Sequence, residues 1–569
     1  WMPPLPERFV ISELPEFSQH AYCEGRWPEH DSWSLSAPVG LCDDPVNQTQ
    51  IPLYVDFAKD GHLAVCGNAT SGKSTFLQTL IWSLINMYTP AQLNVYAIDY
   101  SNHMLQAFEE DKHIGGIMYE NDTEKTEKFF YMISDILKNR KKTVRGGSFG
   151  QYIRAHGYVM PAIVAVIDNY SSFREKTDNK YESIIWELSR DGAAFGIFLV
   201  ISSGGFGSSE IQNKIADNIR NVITLDMGDK LRYIDLLRTS HIDILPEQNR
   251  KGRGLVTADG TILEFQTAVC MEADDDYERS EKIKSACEDM NLHFDGAGAA
   301  HVPEIPEKPT WFSLSENPQF NEALETGDLL PFAYEQKTAS LYSIDLSDTF
   351  CYAISGKSRS GRTETLKVIA AAAAQGNGDL CIIDSPDGQL KHFAAKLDSA
   401  YVSSREELFD FAKELAETFK TRNRKKRELL ESGAEDAEIY RKMCSERRKW
   451  IFVSDFASFL ETVYKSGEKI GSMAPFFENI LEKGRLHNIY FVFDINTDET
   501  VSMLSRKLYG TVSGYRTGVH LGGALSNQKI FDCSSIPYVE QTKVYKPGVG
   551  MAFDADGATK IVLPSSKGV

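Results

Sequence analysis

The residues from Gly67 to Ser74 have the types and the spacing of a phosphate-binding loop. The pattern G-x-x-x-x-G-K-[ST] is met at every position, and one more hydroxyl residue follows it: Gly67, Asn68, Ala69, Thr70, Ser71, Gly72, Lys73, Ser74 and then Thr75. In such a loop the backbone N–H groups face phosphate oxygens, the lysine reaches the β and γ phosphates, and the serine hydroxyl contacts Mg²⁺. We therefore predict that Gly67–Thr75 bind ATP and that Ser74 is a Mg²⁺ ligand.

Asp168 is the carboxylate that we expect on the metal side of this loop. It ends the apolar run from Ile163 to Ile167, which is typical of a buried strand. A carboxylate at the end of such a strand would hold Mg²⁺, or the water around it, beside Ser74. The alternative is that Asp168 only caps the strand, and the complete phosphate loop favours the metal role.

Asn169 comes next, where nucleotide-hydrolysing motors of this general design usually carry a glutamate. A glutamate there polarises the attacking water, whereas an amide cannot accept a proton as a general base. We therefore assign no catalytic residue, and we predict ATP binding with weak or absent hydrolysis.

The elements that must position these residues follow from the hydrophobic pattern. From His62 onward, apolar runs of strand length alternate with amphipathic stretches of helix length, as in a parallel sheet covered by helices on both faces. The same order of landmarks returns about 290 residues later, which indicates a tandem duplication. The predicted fold class is α/β, with two tandem RecA-like P-loop NTPase domains, each a mostly parallel sheet flanked by helices.

The second copy of the loop is degenerate. It begins at Gly356 and continues through Gly361, Arg362 and Thr363, so an arginine replaces the lysine. A guanidinium is longer and planar and cannot simply take the lysine's place under the phosphates. Asp455 is aligned with Asp168 in this reading, as the carboxylate of the second site. We expect a non-catalytic remnant or a binding pocket, although the loop backbone and Thr363 could still hold a nucleotide.

Proline and glycine content sets the expected boundaries. Residues 1–53 contain eight prolines and are predicted to form an extended strap. Residues 54–295 are the predicted first ATPase domain, with the intact loop. Residues 296–312 have the composition of a linker, and residues 313–569 are the predicted degenerate domain, a candidate for substrate binding.

The composition excludes several classes of protein. The chain carries 61 basic and 80 acidic residues, a net charge of −19, which disfavours a nucleic-acid partner. Its nine cysteines are scattered without a Cys-x-x-Cys pair, so we expect reduced thiols in a cytosolic protein and no zinc site. No apolar stretch is long enough for a membrane helix.

Several segments of the sequence resemble the FtsK/SpoIIIE family of ring-forming P-loop motors. They are Pro38–Pro45, Ser189–Leu199, Asn218–Arg220 and Gly252–Leu255. The tandem copies with a degenerate second one, and the strap around Trp1–Pro6, are more similar to the EssC/EccC membrane ATPases of type VII secretion. The resemblance covers almost the whole chain.

This resemblance implies that the chain is the second and third cytosolic ATPase domains of a longer protein. A first ATPase domain and membrane helices would lie upstream in the same polypeptide, which would be anchored at the cytoplasmic side of the bacterial cell membrane and form a hexamer. The family exports small helical WXG-type proteins, and other secretion-machine subunits would be further partners of this chain. Residues 313–569 would then receive the exported substrate.

Two departures from the DNA-pumping members weaken that function. Their Arg-x-Gly-Arg pattern reads Arg190-Asp191-Gly192-Ala193 here, without the second arginine, whereas Arg485 keeps it in the second copy. Arg485 could act in a neighbouring subunit's site, and the alternative, which is the commoner one for such a residue, is a surface ion pair. The Gln-Arg that follows the next strand in those motors is also missing after Ser203. A double-stranded DNA translocase and a non-catalytic peptide-binding scaffold remain the alternatives to a secretion ATPase.

Overall fold

The computed structural model describes residues 3–30, 32–247 and 250–569. The chain divides into two compact units between Pro303 and Glu304. Among the described residues, no helix combines the length and the apolar character that crossing a membrane requires.

The first unit is built on one mixed sheet. Over the described residues its strands are β1 (Ser36–Asp44), β2 (Thr49–Asp56), β3 (Leu63–Cys66), β4 (Leu93–Asp99), β5 (Ile114–Met118), β6 (Ala162–Asp168), β7 (Ile197–Ser203), β8 (Asn221–Leu225), β9 (Arg253–Ala258) and β10 (Thr261–Thr267). The order across the sheet is β2-β1-β10-β9-β8-β3-β7-β6-β4-β5. Strands β8, β3, β7, β6, β4 and β5 are parallel, and the others are added antiparallel at the β8 side.

Helices cover both faces of this sheet. The α-helices are α1 (Pro15–Ser18), α2 (Phe57–Asp60), α3 (Lys73–Met87), α4 (Thr123–Thr143), α5 (Phe149–His156), α6 (Tyr170–Lys176), α7 (Glu182–Asp191), α8 (Asn213–Ala216), α9 (Lys230–Leu236) and α10 (Asp276–Leu292). Short 3₁₀ helices lie at Ile11–Glu13, Met104–Phe108 and Gly192–Phe195. Successive residues of β3 enter different hydrophobic clusters, Leu63 and Val65 in one and Ala64 and Cys66 in the other. A parallel strand buried on both faces explains the unbroken apolar runs of the sequence.

The second unit repeats this sheet. Its strands are β11 (Leu329–Glu335), β12 (Leu341–Asp345), β13 (Cys351–Gly356), β14 (Asp379–Ile383), β15 (Ala400–Val402), β16 (Lys449–Val453), β17 (Ile489–Asn496), β18 (Gly518–Leu521), β19 (Val549–Asp554) and β20 (Gly557–Val562). Their order is β12-β11-β20-β19-β18-β13-β17-β16-β14-β15, so each strand takes the place of its counterpart in the first unit.

In the second unit, helices α11 and α12 precede the first strand, and the other described helices lie between strands in sequence. They are α11 (Trp311–Ser315), α12 (Pro318–Thr326), α13 (Arg362–Gln375), α14 (Lys391–Lys396), α15 (Arg405–Glu431), α16 (Asp436–Met443), α17 (Phe456–Tyr464), α18 (Ala474–Lys483), α19 (Thr500–Met503), α20 (Lys507–Gly514) and α21 (Tyr538–Gln541). Two 3₁₀ helices lie at Thr497–Glu499 and Leu525–Asn527. The predicted fold class, two tandem α/β domains with mostly parallel sheets, is confirmed.

The predicted strap at residues 1–53 is partly wrong, because β1 and most of β2 lie within it and belong to the first sheet. Proline lacks a backbone donor and is tolerated in edge strands and bulges. Pro52 lies in β2, the edge strand, and the register of β1 shifts between Pro38 and Gly40. The prolines therefore argue against a long helix but not against strand, and Pro15 occupies the first position of the four-residue helix α1.

The predicted linker at residues 296–312 begins packed on the first unit. The Val302 N–H donates to the Gly115 carbonyl at 2.9 Å, and the Val302 side chain is buried. The first helix of the second unit, α11, starts at Trp311.

Candidate nucleotide-binding site

The phosphate-binding loop of the first unit connects β3 to the N-terminus of α3. Thr70 and Gly72 have positive φ angles of 64° and 106°, so the loop turns sharply before Lys73 begins the helix. A Cβ atom on Gly72 would lie 2.9 Å from the backbone nitrogen of Gly252, so the position requires glycine. The Asn68 N–H donates to the Asp226 carbonyl at 2.9 Å, which fixes the loop to the end of β8.

Lys73 is held against its own loop. Its Nζ atom donates to the carbonyl oxygens of Gly67 and Asn68, both at 2.8 Å. Burial lowers the pKa of Lys73, and the charge of Asp168 opposes this shift. The ammonium group therefore donates to two neutral carbonyl oxygens of the loop. Charged phosphate oxygens are stronger acceptors and can replace them.

The predicted metal pair is assembled. Ser74 Oγ donates to Asp168 Oδ2 at 2.7 Å, and Ser202 at the end of β7 donates to the other carboxylate oxygen. Asp168 is 1% exposed; burial raises its pKa, and the hydrogen bonds from Ser202 and Ser74 oppose the shift. A hydroxyl and a desolvated carboxylate in contact are a suitable oxygen donor set for Mg²⁺.

Asp99 adds a second carboxylate that the sequence analysis missed. It pairs with Asp168 in the register of β4 and β6, and its charge also raises the pKa of Asp168. Its oxygens accept from the backbone N–H groups of Ser101 at 3.0 Å and Leu105 at 3.2 Å. The available signal was the same as for Asp168, an apolar strand that ends in aspartate.

Asn169 lies at the end of β6 with a positive φ of 62°. Its backbone N–H donates to Ser202 Oγ at 2.9 Å, and its side-chain Nδ2 donates to the Tyr100 carbonyl at 3.0 Å. The side chain is thus fixed as a donor at the position where the sequence analysis expected a glutamate in a hydrolysing motor.

Two further residues reach the loop from outside the predicted motif. Arg232 on α9 donates to Asn68 Oδ1 at 2.9 Å and to the Gly204 carbonyl at 2.7 Å. Glu210 accepts from Ser203 Oγ at 2.5 Å and from the Gly204 N–H at 3.0 Å. Neither residue has a local sequence signature.

Arg190 is engaged within its own unit. Its Nε and Nη2 atoms donate to the two carboxylate oxygens of Asp191 at 2.7 and 2.8 Å. The second copy carries Arg485 exposed on the turn that follows α18, with its carbonyl accepting from Lys426 Nζ at 2.7 Å. Its action in a neighbouring subunit stays a prediction.

The second loop keeps the backbone shape of the first. Arg359 and Gly361 have φ angles of 63° and 98°, which match Thr70 and Gly72. Helix α13 begins at Arg362, the position that corresponds to Lys73. The difference between the two loops is therefore in the side chains.

Arg362 is paired within the second unit. Its Nη1 atom donates to Asp494 Oδ1 at 2.6 Å, and Thr363 Oγ1 lies 3.5 Å from Asp494 Oδ2. Burial raises the pKa of Asp494 to about 7, and the charge of Arg362 opposes this shift. The Arg362 guanidinium thus supplies the positive charge between the loop and the buried Asp494 carboxylate.

The assignment of Asp455 as the counterpart of Asp168 is wrong by one residue. Ile167 pairs with Ile201, and Val453 pairs with Phe493 at the same level of the second sheet, so Ser454 corresponds to Asp168. Asp455 instead accepts from the Ser458 N–H at 3.2 Å as the N-cap of α17. Successive strand residues point to opposite faces, so a shift of one residue changes the role.

The fold and the loop define a P-loop NTPase domain in the first unit. Residues 29–269 match the FtsK/SpoIIIE family, so the first unit carries a domain of that family.

The chain is also similar to type VII secretion proteins. It is 25% identical over 432 residues to the ESX secretion system protein EccC of Geobacillus thermodenitrificans, covering 74% of this chain and 27% of that protein. The chain thus spans about a quarter of the length of the curated relatives it matches.

Two solved structures share the fold over nearly the whole chain. EssC (ATPases 2 and 3) from Geobacillus thermodenitrificans has a TM-score of 0.75 and 21% identity, with 99% of this chain and 100% of that chain covered. Thermomonospora curvata EccC (ATPases 2 and 3) in complex with a signal sequence peptide has a TM-score of 0.56 and 21% identity, with 100% and 97% covered. Both likenesses concern the fold, and they extend over the two repeated sheets of this chain.

Proposed function

We propose that this chain is the ATP-binding module of a type VII secretion motor. The first unit binds Mg·ATP with weak or no hydrolysis, and the second unit recognises an exported WXG-type helical protein. The contact of 2.7 Å between Ser74 and Asp168, directly beside a complete phosphate loop, carries the nucleotide part of this proposal.

Each group of the first site has a distinct task. The N–H groups at the C-terminal end of the loop and at the N-terminus of α3 bind phosphate oxygens, because the helix dipole favours negative charge there. Lys73 exchanges the Gly67 and Asn68 carbonyls for the β and γ phosphates. Ser74 and Asp168 would hold Mg²⁺, which neutralises phosphate charge when bound.

Slow turnover is supported by Asn169. Its amide nitrogen is already committed to the Tyr100 carbonyl, and an amide does not accept a proton from water. ATP then acts chiefly as a ligand that stabilises one state of the unit. At 100 times its Kd, a ligand stabilises the bound state by about 2.7 kcal/mol.

The pairing of Arg362 with Asp494 supports a different role for the second unit. In this pair the charge of the buried carboxylate is already neutralised by the arginine. The second unit also has a cavity of about 430 Å³, lined in part by Leu408, Phe459 and Thr462. The Thermomonospora structure with a signal sequence peptide supports substrate recognition by such a module. In the whole protein, the remaining partners would be an upstream ATPase domain, a membrane part and other secretion-machine subunits.

Calorimetric titration of Mg·ATP into this chain tests the nucleotide assignment. We expect one site, lost in Lys73→Ala and kept in the matched second-unit variant Arg362→Ala. Two sites in the wild-type chain, or a site that survives Lys73→Ala, would contradict the division of roles.

Substrate recognition is tested with a fluorescent peptide that carries the C-terminal signal of a WXG-type protein. We expect saturable binding that Thr462→Trp weakens at least tenfold by filling the cavity, while Lys73→Ala leaves it unchanged. Equal binding of a scrambled peptide would contradict the proposal.

A further inference from the structure

Glu210 brings a carboxylate to the carboxyl ends of β6 and β7. Its Oε2 atom accepts from Ser203 Oγ at 2.5 Å, from the Gly204 N–H at 3.0 Å and from the Ser171 hydroxyl. Ser203 ends β7, which lies between the P-loop strand β3 and β6. Ser171 is two residues past Asn169, in the first turn of α6. The carboxylate is therefore fixed beside the segment that lacks the expected glutamate.

One oxygen of this carboxylate is left for another partner. Within the described chain, the hydrogen bonds to the Glu210 carboxylate all reach Oε2. A Cβ atom on Gly204 would lie 2.8 Å from Oε1. The glycine thus keeps the approach to Oε1 clear.

The charge of Glu210 is stabilised where it lies. Burial acts to raise its pKa, but the hydrogen bonds from Ser171, Ser203 and Gly204, together with the charge of Arg232, lower it overall. The carboxyl group is therefore ionised at neutral pH. The same hydrogen bonds reduce its basicity, which fits a slow rather than a fast reaction.

Glu210 and Arg232 are linked to the phosphate loop through Gly204, which directly follows β7. Glu210 accepts from the Gly204 N–H at 3.0 Å. Arg232 donates to the Gly204 carbonyl at 2.7 Å and to Asn68 Oδ1 in the loop at 2.9 Å. An anion and a cation are thus supplied at the end of β7, where the Gln-Arg of DNA-pumping motors is missing.

We propose that Glu210 orients the attacking water for the slow ATP hydrolysis of the first unit, in place of the carboxylate that Asn169 lacks. The water oxygen bonds to the γ phosphorus while the bond from that phosphorus to the β–γ bridging oxygen breaks. The electron pair of that bond leaves with ADP, and the proton of the water passes through Oε1 to the phosphate product. The proposal rests on the proposed binding of Mg·ATP at this site.

The test measures binding and hydrolysis separately on the whole chain. Glu210→Gln keeps the shape and the polar contacts of the side chain but removes its charge. We expect Glu210→Gln to lower the rate of phosphate release at least tenfold while the Kd for Mg·ATP changes less than threefold. The matched control Glu187→Gln, on α7, leaves both unchanged. Asn169→Glu in the Glu210→Gln background should restore hydrolysis.

The outcomes separate this proposal from the proposed function. A rate of phosphate release that is unchanged in Glu210→Gln overturns the proposed role of Glu210. The role is also overturned if the wild-type chain binds ATP but releases phosphate no faster than Lys73→Ala. Parallel loss of binding and hydrolysis in Glu210→Gln would assign Glu210 a structural role and also overturn it. Absence of ATP binding to the wild-type chain would instead remove the proposed function itself.

Discussion

Arg362 Nη1 and Asp494 Oδ1 lie 2.6 Å apart in the second unit, and their counterparts in the first unit are Lys73 and Ser202. In the first unit the buried aspartate ends β6 and the serine is on β7, whereas in the second unit the serine follows β16 and the buried aspartate is on β17. Asp168 and Ser202 of the first unit correspond to Ser454 and Asp494 of the second. The second loop therefore keeps its backbone while its charges are arranged to neutralise each other.

This exchange predicts how a second nucleotide site can be rebuilt. The triple variant Arg362→Lys, Ser454→Asp and Asp494→Ser returns the lysine and moves the carboxylate from β17 to the position after β16 that corresponds to Asp168. We expect calorimetry to find two Mg·ATP sites per chain in this variant. Arg362→Lys alone should leave one site, because Asp494 still binds the new ammonium group. A triple variant that folds but binds one equivalent would contradict the assignment of Ser454.

Removal of Arg362 should destabilise the second unit. Asp494 is 2% exposed, and Arg362→Ala would leave its carboxylate buried without a cation. Breaking a buried pair in this way costs about 3–5 kcal/mol. Urea denaturation at pH 8 should report a loss of this size.

The loss of unfolding free energy in Arg362→Ala should be smaller at pH 5 than at pH 8. The pKa of Asp494 is raised by burial to about 7, so the folded unit binds a proton more readily than the unfolded chain. Its contribution to stability is present at low pH and is lost as pH rises towards 7. The double variant Arg362→Ala with Asp494→Asn is the control and should lack this pH dependence. A loss equal at both pH values would contradict it.

Asp168→Asn should make nucleotide binding independent of Mg²⁺. The amide keeps hydrogen bonds to Ser74 and Ser202 but lacks the charge that a divalent cation requires. We expect the Kd for ATP in the presence of Mg²⁺ to rise at least tenfold and the Kd measured with EDTA to change little. Asp243→Asn, at an exposed position, is the control. Equal Mg²⁺ dependence in Asp168→Asn and the wild-type chain would exclude Asp168 from the metal site.

The parts of the site that lie in one stretch of sequence were predictable. Gly67–Ser74 form their loop through local turns and a helix N-terminus, so residue types at fixed spacing identify it. Asp168 was identifiable because a strand carries it to the same edge of the sheet. The fold class followed similarly from repeated strand and helix lengths.

Residues that depend on tertiary position were not predictable. Glu210 and Arg232 reach the loop from segments after β7 and β8 that have no characteristic spacing. Ser454 was overlooked because the next residue, Asp455, is the aspartate that the pattern led us to expect. Only the register of β16 shows that Ser454, and not Asp455, corresponds to Asp168. Strand β1 and most of β2 were assigned to a strap because prolines argue against a long helix more clearly than they argue against an edge strand or a bulge.

His62 should make the first unit sensitive to acid. Its ring is buried, and its Nδ1 atom accepts from the Leu199 N–H at 2.9 Å, so the neutral ring is the form that fits. Burial lowers the pKa of His62 to about 4, below its ordinary value of 6.5. The folded unit therefore binds a proton less readily than the unfolded chain. Its contribution to stability is present above pH 6.5 and is lost as pH falls towards 4.

The variant His62→Asn tests this sensitivity, because the Asn oxygen can accept from Leu199 but does not titrate. Urea denaturation at pH 7.5 and at pH 4.5 gives the loss of unfolding free energy for each protein. We expect the loss to be about 2–3 kcal/mol smaller in the variant, at about 1.4 kcal/mol for each unit of pKa difference. His156→Asn, in which an exposed ring is replaced, should behave as the wild-type chain. Equal acid losses in all three proteins would mean that His62 can be protonated without cost to the fold.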